Sequence, residues 1–263
     1  MEDQGFLWLK EWFHSYVGTF YSTDRQVQFH IRLKEEHTLR VLENAAQIAV
    51  WLNCTPKETQ PIKIAALLHD IGRFKQYQLY NTFNDAHSVN HARLGLEVLL
   101  ESGCMSAAGL NDKGQDIVKK AILYHSCRRL PPAEEGKAWL IPAQIVRDAD
   151  KLDIFSMLLT ENKEQQIPVP PELSKENTYS LKIIEDILQG NLVEYSDIRT
   201  RNDLLLFRLS WIYDIYFACS FSYILKQGYI ERLMAFLPGG EDRERVQDCL
   251  SRHAAQRAAS CRF

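Results

Sequence analysis

The sequence has no long uncharged apolar run. Its densest apolar stretch, residues 204–225, is interrupted by Arg208 and Asp214. The longest uncharged part of that stretch, residues 215–225, is well short of the roughly 18 to 20 residues that a helix needs to cross a bilayer. The stretch therefore predicts a buried helix in the C-terminal part of the chain and no membrane partner. The acidic start of the chain, residues 1–3, lacks the basic region that opens a signal peptide, so we expect a cytoplasmic protein.

The chain also lacks a strong excess of charge and closely spaced cysteines. A formal net charge of -3 over 263 residues gives no electrostatic footprint for non-specific nucleic-acid binding, which favours a small soluble substrate. The six cysteines form no C-x-x-C motif, so neither a disulfide framework nor a structural zinc site is indicated. The small net charge and the spacing of the cysteines favour an intracellular enzyme, but they do not indicate which reaction it catalyses.

No segment alternates apolar and polar residues clearly enough to predict a β-strand. Apolar residues instead recur at helical spacing within residues 6–17, 33–48 and 62–68. With 46% hydrophobic residues the chain can bury a sizeable core, and no stretch resembles a linker between autonomous domains. We therefore predict an all-α protein in which residues 1–263 form a single helical domain.

Local signals mark several helix ends. Residues 55–58 read Thr-Pro-Lys-Glu, a capping box with proline at the first helical position, and predict the start of a helix. Prolines within residues 168–171 predict a break before a further helix over about residues 172–188. Asn84 or Asp85 can cap a helix that begins beside them.

The most informative motif is the pair His69-Asp70, which follows an apolar run over residues 62–68. Side chains of adjacent helical residues point about 100° apart and cannot normally serve one ion. Gly72 is expected to end the helix and to let both side chains turn inward. A histidine nitrogen and a carboxylate oxygen are ligands for a divalent cation, so the pair predicts half of a metal site. For an isolated pair, the alternative is a helix cap.

Four further residues stand on predicted helices with small or apolar neighbours, namely His37, His91, His125 and Asp150. The order His, His-Asp, His, His, Asp, with each motif on its own helix, resembles the HD-domain superfamily of metal-dependent phosphohydrolases, and within it a group of stand-alone bacterial proteins. The resemblance covers about residues 30–165. It implies a helical bundle over that range, with a C-terminal helical extension over about residues 166–263.

The resemblance also implies a ligand set. The primary metal ligands of the family correspond to His37, His69, Asp70 and Asp150. His91 and His125 stand where members with two ions have additional ligands, and Asp70 is then expected to bridge the ions and to be catalytic. The cofactor is expected to be one or two divalent ions of Mn, Fe, Co, Ni or Zn. The Gly-Tyr-Pro motif of the family's cyclic-dinucleotide branch is missing from the sequence.

Charged and polar residues beside the ligands are candidate catalytic or substrate-binding groups. Arg73 and Lys151 follow the metal motifs closely and could clamp a phosphate, or could be solvated charges at helix ends. His125, if it binds no second ion, could protonate the leaving group. His87 precedes His91 by four residues, a helical spacing that suits one ion, and the alternative is that His87 caps its helix or bonds a backbone carbonyl.

A polar and aromatic loop, residues 76–85, lies between the His69-Asp70 pair and the next histidine motif and is expected to form the substrate rim. The rings of Tyr77, Tyr80 and Phe83 could stack on a nucleobase or pack as a hydrophobic plug. Asp85 could contact a sugar or a phosphate. Tyr80 and His87 are therefore added to Arg73 and Lys151 as candidate substrate-binding residues.

Together these features predict a phosphohydrolase that uses metal-activated water to hydrolyse a phosphomonoester or phosphoanhydride bond of a nucleotide or similar small metabolite. One alternative is a di-iron oxygenase of the same superfamily. Another is a non-catalytic module that keeps a metal for structure, which is disfavoured because every motif position is filled. The expected partner is a small phosphorylated substrate, and the sequence makes no prediction of oligomeric state.

Overall fold

The computed structural model describes residues 4–132, 137–160 and 173–260. Within these ranges the chain is helical and forms no β-strand, although Ser174 and Thr200 make an isolated parallel bridge. The all-α prediction is therefore confirmed. None of the helices in these ranges combines the length and the hydropathy that a bilayer crossing requires.

The chain divides into two compact units, Met1–Asp150 and Lys151–Phe263. The first unit contains seven described helices and the first part of an eighth. These are α1 (Gln4–Gly18), α2 (Arg25–Trp51), α3 (Pro56–Leu68), α4 (Ile71–Tyr80), α5 (His91–Ser102), α6 (Cys104–Ala107), α7 (Asp112–His125) and α8 (Leu140–Leu158).

Helix α3 is the buried helix of the first unit. It begins at the predicted capping box, in which the Thr55 hydroxyl accepts from the backbone N–H of Glu58 and the Glu58 carboxylate accepts from that of Thr55. The helix packs against α1, α2 and α7, and its last residues are almost all buried. Each fully buried Ile or Leu side chain stabilises such a core by roughly 1.5 to 3 kcal/mol. This burial carries the end of α3 into the interior of the unit.

The chain leaves α3 at Leu68 and enters α4 at Ile71, so His69 and Asp70 form the junction between two helices. Asp70 has φ -105° and ψ 15°, which are not α-helical values. Gly72 lies inside α4, and the prediction that Gly72 ends the helix is therefore wrong. The junction itself turns the two adjacent side chains towards one region.

Gly72 has a packing role instead. A Cβ at this position would lie 2.2 Å from the backbone oxygen of His91 and 2.5 Å from the backbone nitrogen of Gly95. Backbone atoms cannot move aside as a flexible side chain can, so only glycine allows α4 and α5 to approach this closely. The contact fixes the start of α5 beside the α3–α4 junction.

The second unit contains the rest of α8 and five further described helices. These are α9 (Leu181–Leu188), α10 (Arg201–Ser210), α11 (Ala218–Gln227), α12 (Tyr229–Met234) and α13 (Glu241–Ala259). The apolar stretch over residues 204–225 is not one helix, because a 3-10 turn at Trp211–Asp214 separates α10 from α11. The turn places the buried carboxylate of Asp214 2.7 Å from Nζ of Lys151.

The helix predicted over residues 172–188 begins only at Leu181. The backbone N–H and the hydroxyl of Ser180 donate to the carboxylate of Asp203 at 2.7 and 2.8 Å. These bonds tie the chain before α9 to α10 and compete with a longer helix. The proline break predicted within residues 168–171 lies outside the described residues.

Candidate metal centre

Six side chains from five segments of the chain converge beside the α3–α4 junction and form a histidine–aspartate cluster. They are His37 of α2, His69 and Asp70 of the junction, His91 at the start of α5, His125 at the end of α7, and Asp150 of α8. All except Asp150 are buried. The structure therefore brings together all six residues predicted as metal ligands.

One half of the cluster faces Oδ2 of Asp70. Nε2 of His37 lies 3.7 Å and Nε2 of His69 3.6 Å from this oxygen. Oδ1 of Asp150 lies 3.1 Å from Nε2 of His37 and 4.0 Å from Nε2 of His69. These separations suit ligands of one ion, since metal–ligand bonds of about 2.0 to 2.2 Å place neighbouring ligand atoms roughly 3 to 4 Å apart.

The other half of the cluster faces Oδ1 of Asp70. Nε2 of His91 lies 3.4 Å and Nε2 of His125 3.8 Å from this oxygen. The two imidazole nitrogens are 3.1 Å from each other. Asp70 therefore offers one carboxylate oxygen to each of two pairs of histidines.

Three of the histidines are oriented through Nδ1. Nδ1 of His69 lies 2.8 Å, and Nδ1 of His125 2.6 Å, from the backbone carbonyl oxygen three residues earlier in the chain. Nδ1 of His91 lies 2.7 Å from Oδ2 of Asp85. Carbonyl and carboxylate oxygens only accept hydrogen bonds, so Nδ1 carries the proton in each of these neutral rings. Each Nε2 then presents a lone pair to the cluster.

These lone pairs fit a bound cation. Nε2 of His91 and Nε2 of His125 approach to 3.1 Å, although neither carries a proton that it could donate to the other. Nε2 of His69 is buried and has no hydrogen-bond partner among the described residues. A buried polar atom without a partner costs about 1 to 3 kcal/mol. A divalent ion that takes neutral imidazole and carboxylate ligands would remove this cost, so the donor set fits a metal.

Burial favours the neutral form of three of the histidines, His69, His91 and His125. Burial lowers the pKa of His69 and His91, and the charge of Arg73 lowers that of His91 further. Burial, together with the neighbouring His69 and His91, holds the pKa of His125 well below its usual range. Only the neutral ring binds a metal, so these pKa shifts keep the ligands available at neutral pH.

The two carboxylates of the cluster remain ionised. Burial would raise the pKa of Asp70, but the positive charges of Lys34 and Arg73 outweigh burial and hold this pKa well below its usual range. Burial also acts to raise the pKa of Asp150, and the hydrogen bond and charge of His37 outweigh it. Both aspartates therefore present anionic oxygens to an ion.

Asp85 holds His91 from outside the ligand set. Its Oδ2 accepts from Nδ1 of His91, while its Oδ1 accepts from Nη1 of Arg73 at 2.7 Å and from Nε2 of Gln76 at 2.9 Å. A carboxylate in this position fixes the orientation and the tautomer of a ligating imidazole. Sequence reasoning linked Asp85 to a helix cap and to a sugar or phosphate, but not to His91. Its partners are Arg73, Gln76 and His91, and no helical or strand periodicity of the sequence relates Asp85 to them.

Arg73, predicted as a phosphate clamp, is engaged within the protein. Its Nε donates to Oδ1 of Asp70 at 3.3 Å. Its Nη1 donates to Asp85, to the side-chain oxygen of Gln76 at 2.9 Å and to the backbone oxygen of Phe83 at 2.5 Å. The guanidinium thus ties the loop after α4 to the cluster.

Lys34 was not predicted from the sequence, and the structure places its ammonium against the cluster. Nζ of Lys34 donates to Oδ2 of Asp70 at 2.8 Å and lies 5.5 Å from the centroid of the Phe83 ring. Lys34 precedes His37 by three residues, so both project from one face of α2. That spacing is the sequence signal that could have identified Lys34.

Arg147 is a second residue that sequence reasoning missed. It is buried, and its guanidinium donates to four backbone carbonyls at and beyond the end of α7. The acceptors are the carbonyl oxygens of Tyr124 at 2.7 Å, His125 at 2.9 Å, Cys127 at 2.5 Å and Arg128 at 3.3 Å. Arg147 lies three residues before Asp150 on α8, so one helix both supplies a carboxylate of the cluster and holds the segment that ends in His125.

Three predicted substrate-binding residues have other surroundings. His87 is exposed and belongs to a 3-10 turn at Asp85–His87, whereas α5 begins at His91 with Asn90 as its cap. The prediction that His87 and His91 share a helix face is therefore wrong, because the turn separates them. Tyr80 is 45% exposed at the end of α4, and Lys151 pairs with Asp214.

The comparisons with known proteins agree with this geometry. The family model of the HD domain matches residues 35–154, a range that contains the whole cluster. The searches of curated proteins and of solved structures give no match. The resemblance predicted from the motifs is therefore confirmed by the match of residues 35–154 to the HD-domain model.

Proposed function

We propose that this protein is a metal-dependent phosphohydrolase that hydrolyses a phosphomonoester or phosphoanhydride bond of a nucleotide or similar small phosphorylated metabolite. The observation that carries the proposal is the position of Asp70, whose two oxygens face two different pairs of histidines. A carboxylate so placed could serve two ions, as in two-metal hydrolytic sites.

The ligands divide into two sets around Asp70. One ion would be held by His37, His69, Asp70 and Asp150, and a second by Asp70, His91 and His125. Bound there, Mn, Fe, Co, Ni or Zn supplies Lewis acidity that lowers the pKa of water and withdraws charge from a phosphoryl group. The protein keeps the imidazoles neutral, keeps the carboxylates ionised and shields most of the ligands from bulk water.

The contacts of His125 support a ligand role over a proton-donor role. Its Nδ1 proton is donated to the backbone oxygen of Ile122, and its pKa lies well below its usual range because of burial. A ring that stays neutral in this tautomer has no proton on Nε2 to give to a leaving group. His125 is therefore proposed as a ligand of the second ion.

Replacement of Asp70 tests the proposal. Asp70→Ala removes the shared carboxylate, so elemental analysis of protein saturated with metal should fall from about two ions per chain towards none, and phosphate release from nucleotides should stop. His14→Ala is the control, because Nδ1 of His14 pairs with Glu35 on an exposed surface. Equal metal content in the wild type and in Asp70→Ala would contradict the assignment.

The source of the incorporated oxygen distinguishes hydrolysis from oxygenation. In water enriched in heavy oxygen, the phosphate product should gain one labelled atom, without dioxygen, and a chelator should stop the reaction. Activity that needs iron and dioxygen, with no label in the phosphate, would contradict hydrolysis and favour the di-iron oxygenase.

A further inference from the structure

We propose that Lys34 binds the phosphoryl group of the substrate, the role that sequence reasoning gave to Arg73 and Lys151. The inference rests on the proposed phosphohydrolase function and names a substrate-binding residue for it. It follows from the partners, the exposure and the charge environment of the cations near the cluster.

The other cations are committed to protein partners. Arg73 donates to two carboxylates, an amide oxygen and a backbone oxygen. Lys151 pairs with the buried carboxylate of Asp214 at 2.7 Å. Arg147 is buried and donates to backbone carbonyls at the end of α7. Each arginine is therefore held in place by several contacts, and the side chain of Lys151 is only 9% exposed.

Lys34 is engaged far less fully. Its ammonium hydrogen-bonds a single acceptor among the described residues, Oδ2 of Asp70 at 2.8 Å. An ammonium has three N–H donors, so this contact does not use its full capacity. The side chain of Lys34 is 20% exposed, against 9% for Lys151, and a ligand from solvent can therefore reach it.

The aromatic neighbour of Lys34 limits where the ammonium can lie. Nζ is 5.5 Å from the centroid of the Phe83 ring, within the range of a cation–π contact. Phe83 is itself held, because its backbone oxygen accepts from Arg73 and its ring packs against Tyr77 with the centroids 4.8 Å apart. Lys34 is thus confined between a carboxylate and an anchored ring, which reduces the entropy lost when it binds a ligand.

The charges around Lys34 favour an anionic ligand for its ammonium. The cluster has two carboxylates, and imidazoles bind a metal in their neutral form, so two divalent ions would leave the cluster with excess positive charge. Lys34 adds a further positive charge beside Oδ2 of Asp70. Like charges so close repel strongly in a partly buried site. An anion that contacts both the ammonium and the metal centre relieves this repulsion, and a phosphoryl group has the charge and the acceptor oxygens to do so.

Phosphate binding to manganese-loaded protein tests the role of Lys34. In Lys34→Met the stem is kept and the charge is lost, so the dissociation constant for inorganic phosphate, measured by calorimetry, should rise about 10- to 100-fold. Lys34→Gln keeps a polar group at this partly exposed position and should lose phosphate affinity to the same extent. It provides an independent test if Lys34→Met fails to fold. The affinity for Mn should be unchanged or higher, because a competitor for Asp70 has been removed.

Lys63→Met is the matched control. The ammonium of Lys63 also lies over an aromatic ring, 4.1 Å from the centroid of Phe6, and its removal should leave phosphate affinity unchanged. If Lys34→Met and Lys34→Gln bind phosphate as tightly as the wild type, Lys34 only neutralises Asp70 and the inference is overturned. If the manganese-loaded wild type itself binds no phosphate, the failure lies with the proposed phosphohydrolase function.

Discussion

Single residues outside the ligand set hold the cluster in shape. Asp85 accepts from Nδ1 of His91 and so keeps the lone pair of Nε2 directed at Asp70 and His125. The same carboxylate accepts from Arg73 and Gln76, so the loop that contains Asp85 is tied to α4. The orientation of the His91 ring therefore depends on the position of the Asp85 carboxylate.

Asp85→Asn should weaken binding of the second ion. The amide has one acceptor oxygen and no charge, so it cannot serve His91 and Arg73 as the carboxylate does. Loss of such a partner typically lowers metal affinity about 10- to 100-fold, which calorimetric titration with Mn would measure. Asp116→Asn is the control, because Asp116 forms an exposed pair with Lys120. Unchanged affinity in Asp85→Asn would show that backbone packing alone positions His91.

At the scale of helices, the cluster depends on two close arrangements. The burial of α3 carries the His69-Asp70 junction inside the unit, and the contact between Gly72 and α5 places His91 next to it. The position of the junction is stabilised by the buried apolar surface of α3. The close approach of α4 and α5 depends instead on Gly72 having no side chain. A small substitution can therefore disturb this close approach without exposing any core residue.

Gly72→Ala should destabilise the protein by about 1 to 3 kcal/mol, the usual cost of overpacking, because α4 and α5 must separate to admit a methyl group. Urea denaturation would measure the loss, and the affinity for the second ion should fall with it. Gly18→Ala is the control, since a Cβ at Gly18 would meet no atom within 4 Å. Equal stability of Gly72→Ala and the wild type would contradict the packing role.

For the molecule as a whole, the buried histidines predict that acid destabilises the metal-free protein. His69, His91 and His125 have folded-state pKa values below the usual histidine value of about 6.5. As the pH falls through about 6.5 the unfolded chain gains protons that the folded chain does not, so the free energy of unfolding decreases. The contribution of these residues is present above that pH and is lost as the pH falls towards the folded-state values.

Urea midpoints measured with chelator at about pH 7.5 and about pH 5.5 should show this decrease. A His125→Asn variant should show a smaller decrease between the same two pH values, because it lacks one of the titrating groups. Midpoints that do not change between the two pH values would contradict the linkage.

The sequence predicted the helical class, the capping box and the six residues that converge in the histidine–aspartate cluster, because each depends on local spacing or on motif order. His37 and Asp150 are far apart in sequence, yet each is recognisable from its own neighbours. The helix end at His69 and Asp70 was assigned to the wrong cause, Gly72, because glycine favours both helix ends and close helix packing, and the sequence alone does not distinguish the two.

The residues that sequence reasoning missed act through distant partners. Lys34 meets Asp70, and Arg147 meets the carbonyls after α7, across separations that no periodic pattern reports. His87 was misplaced because a 3-10 turn interrupts a spacing that suits a helix. Long-range contacts of this kind are set by how the helices pack, which one sequence does not specify.

If Asp70 serves two ions, as proposed, their binding should show negative cooperativity. A first ion would withdraw electron density from the carboxylate and add positive charge near His91 and His125, so a second ion would meet a poorer donor and a stronger repulsion. The two occupancies are therefore coupled through one side chain, with no movement of the helices required. Over a range of free metal concentrations, molecules that hold a single ion should outnumber those that hold two.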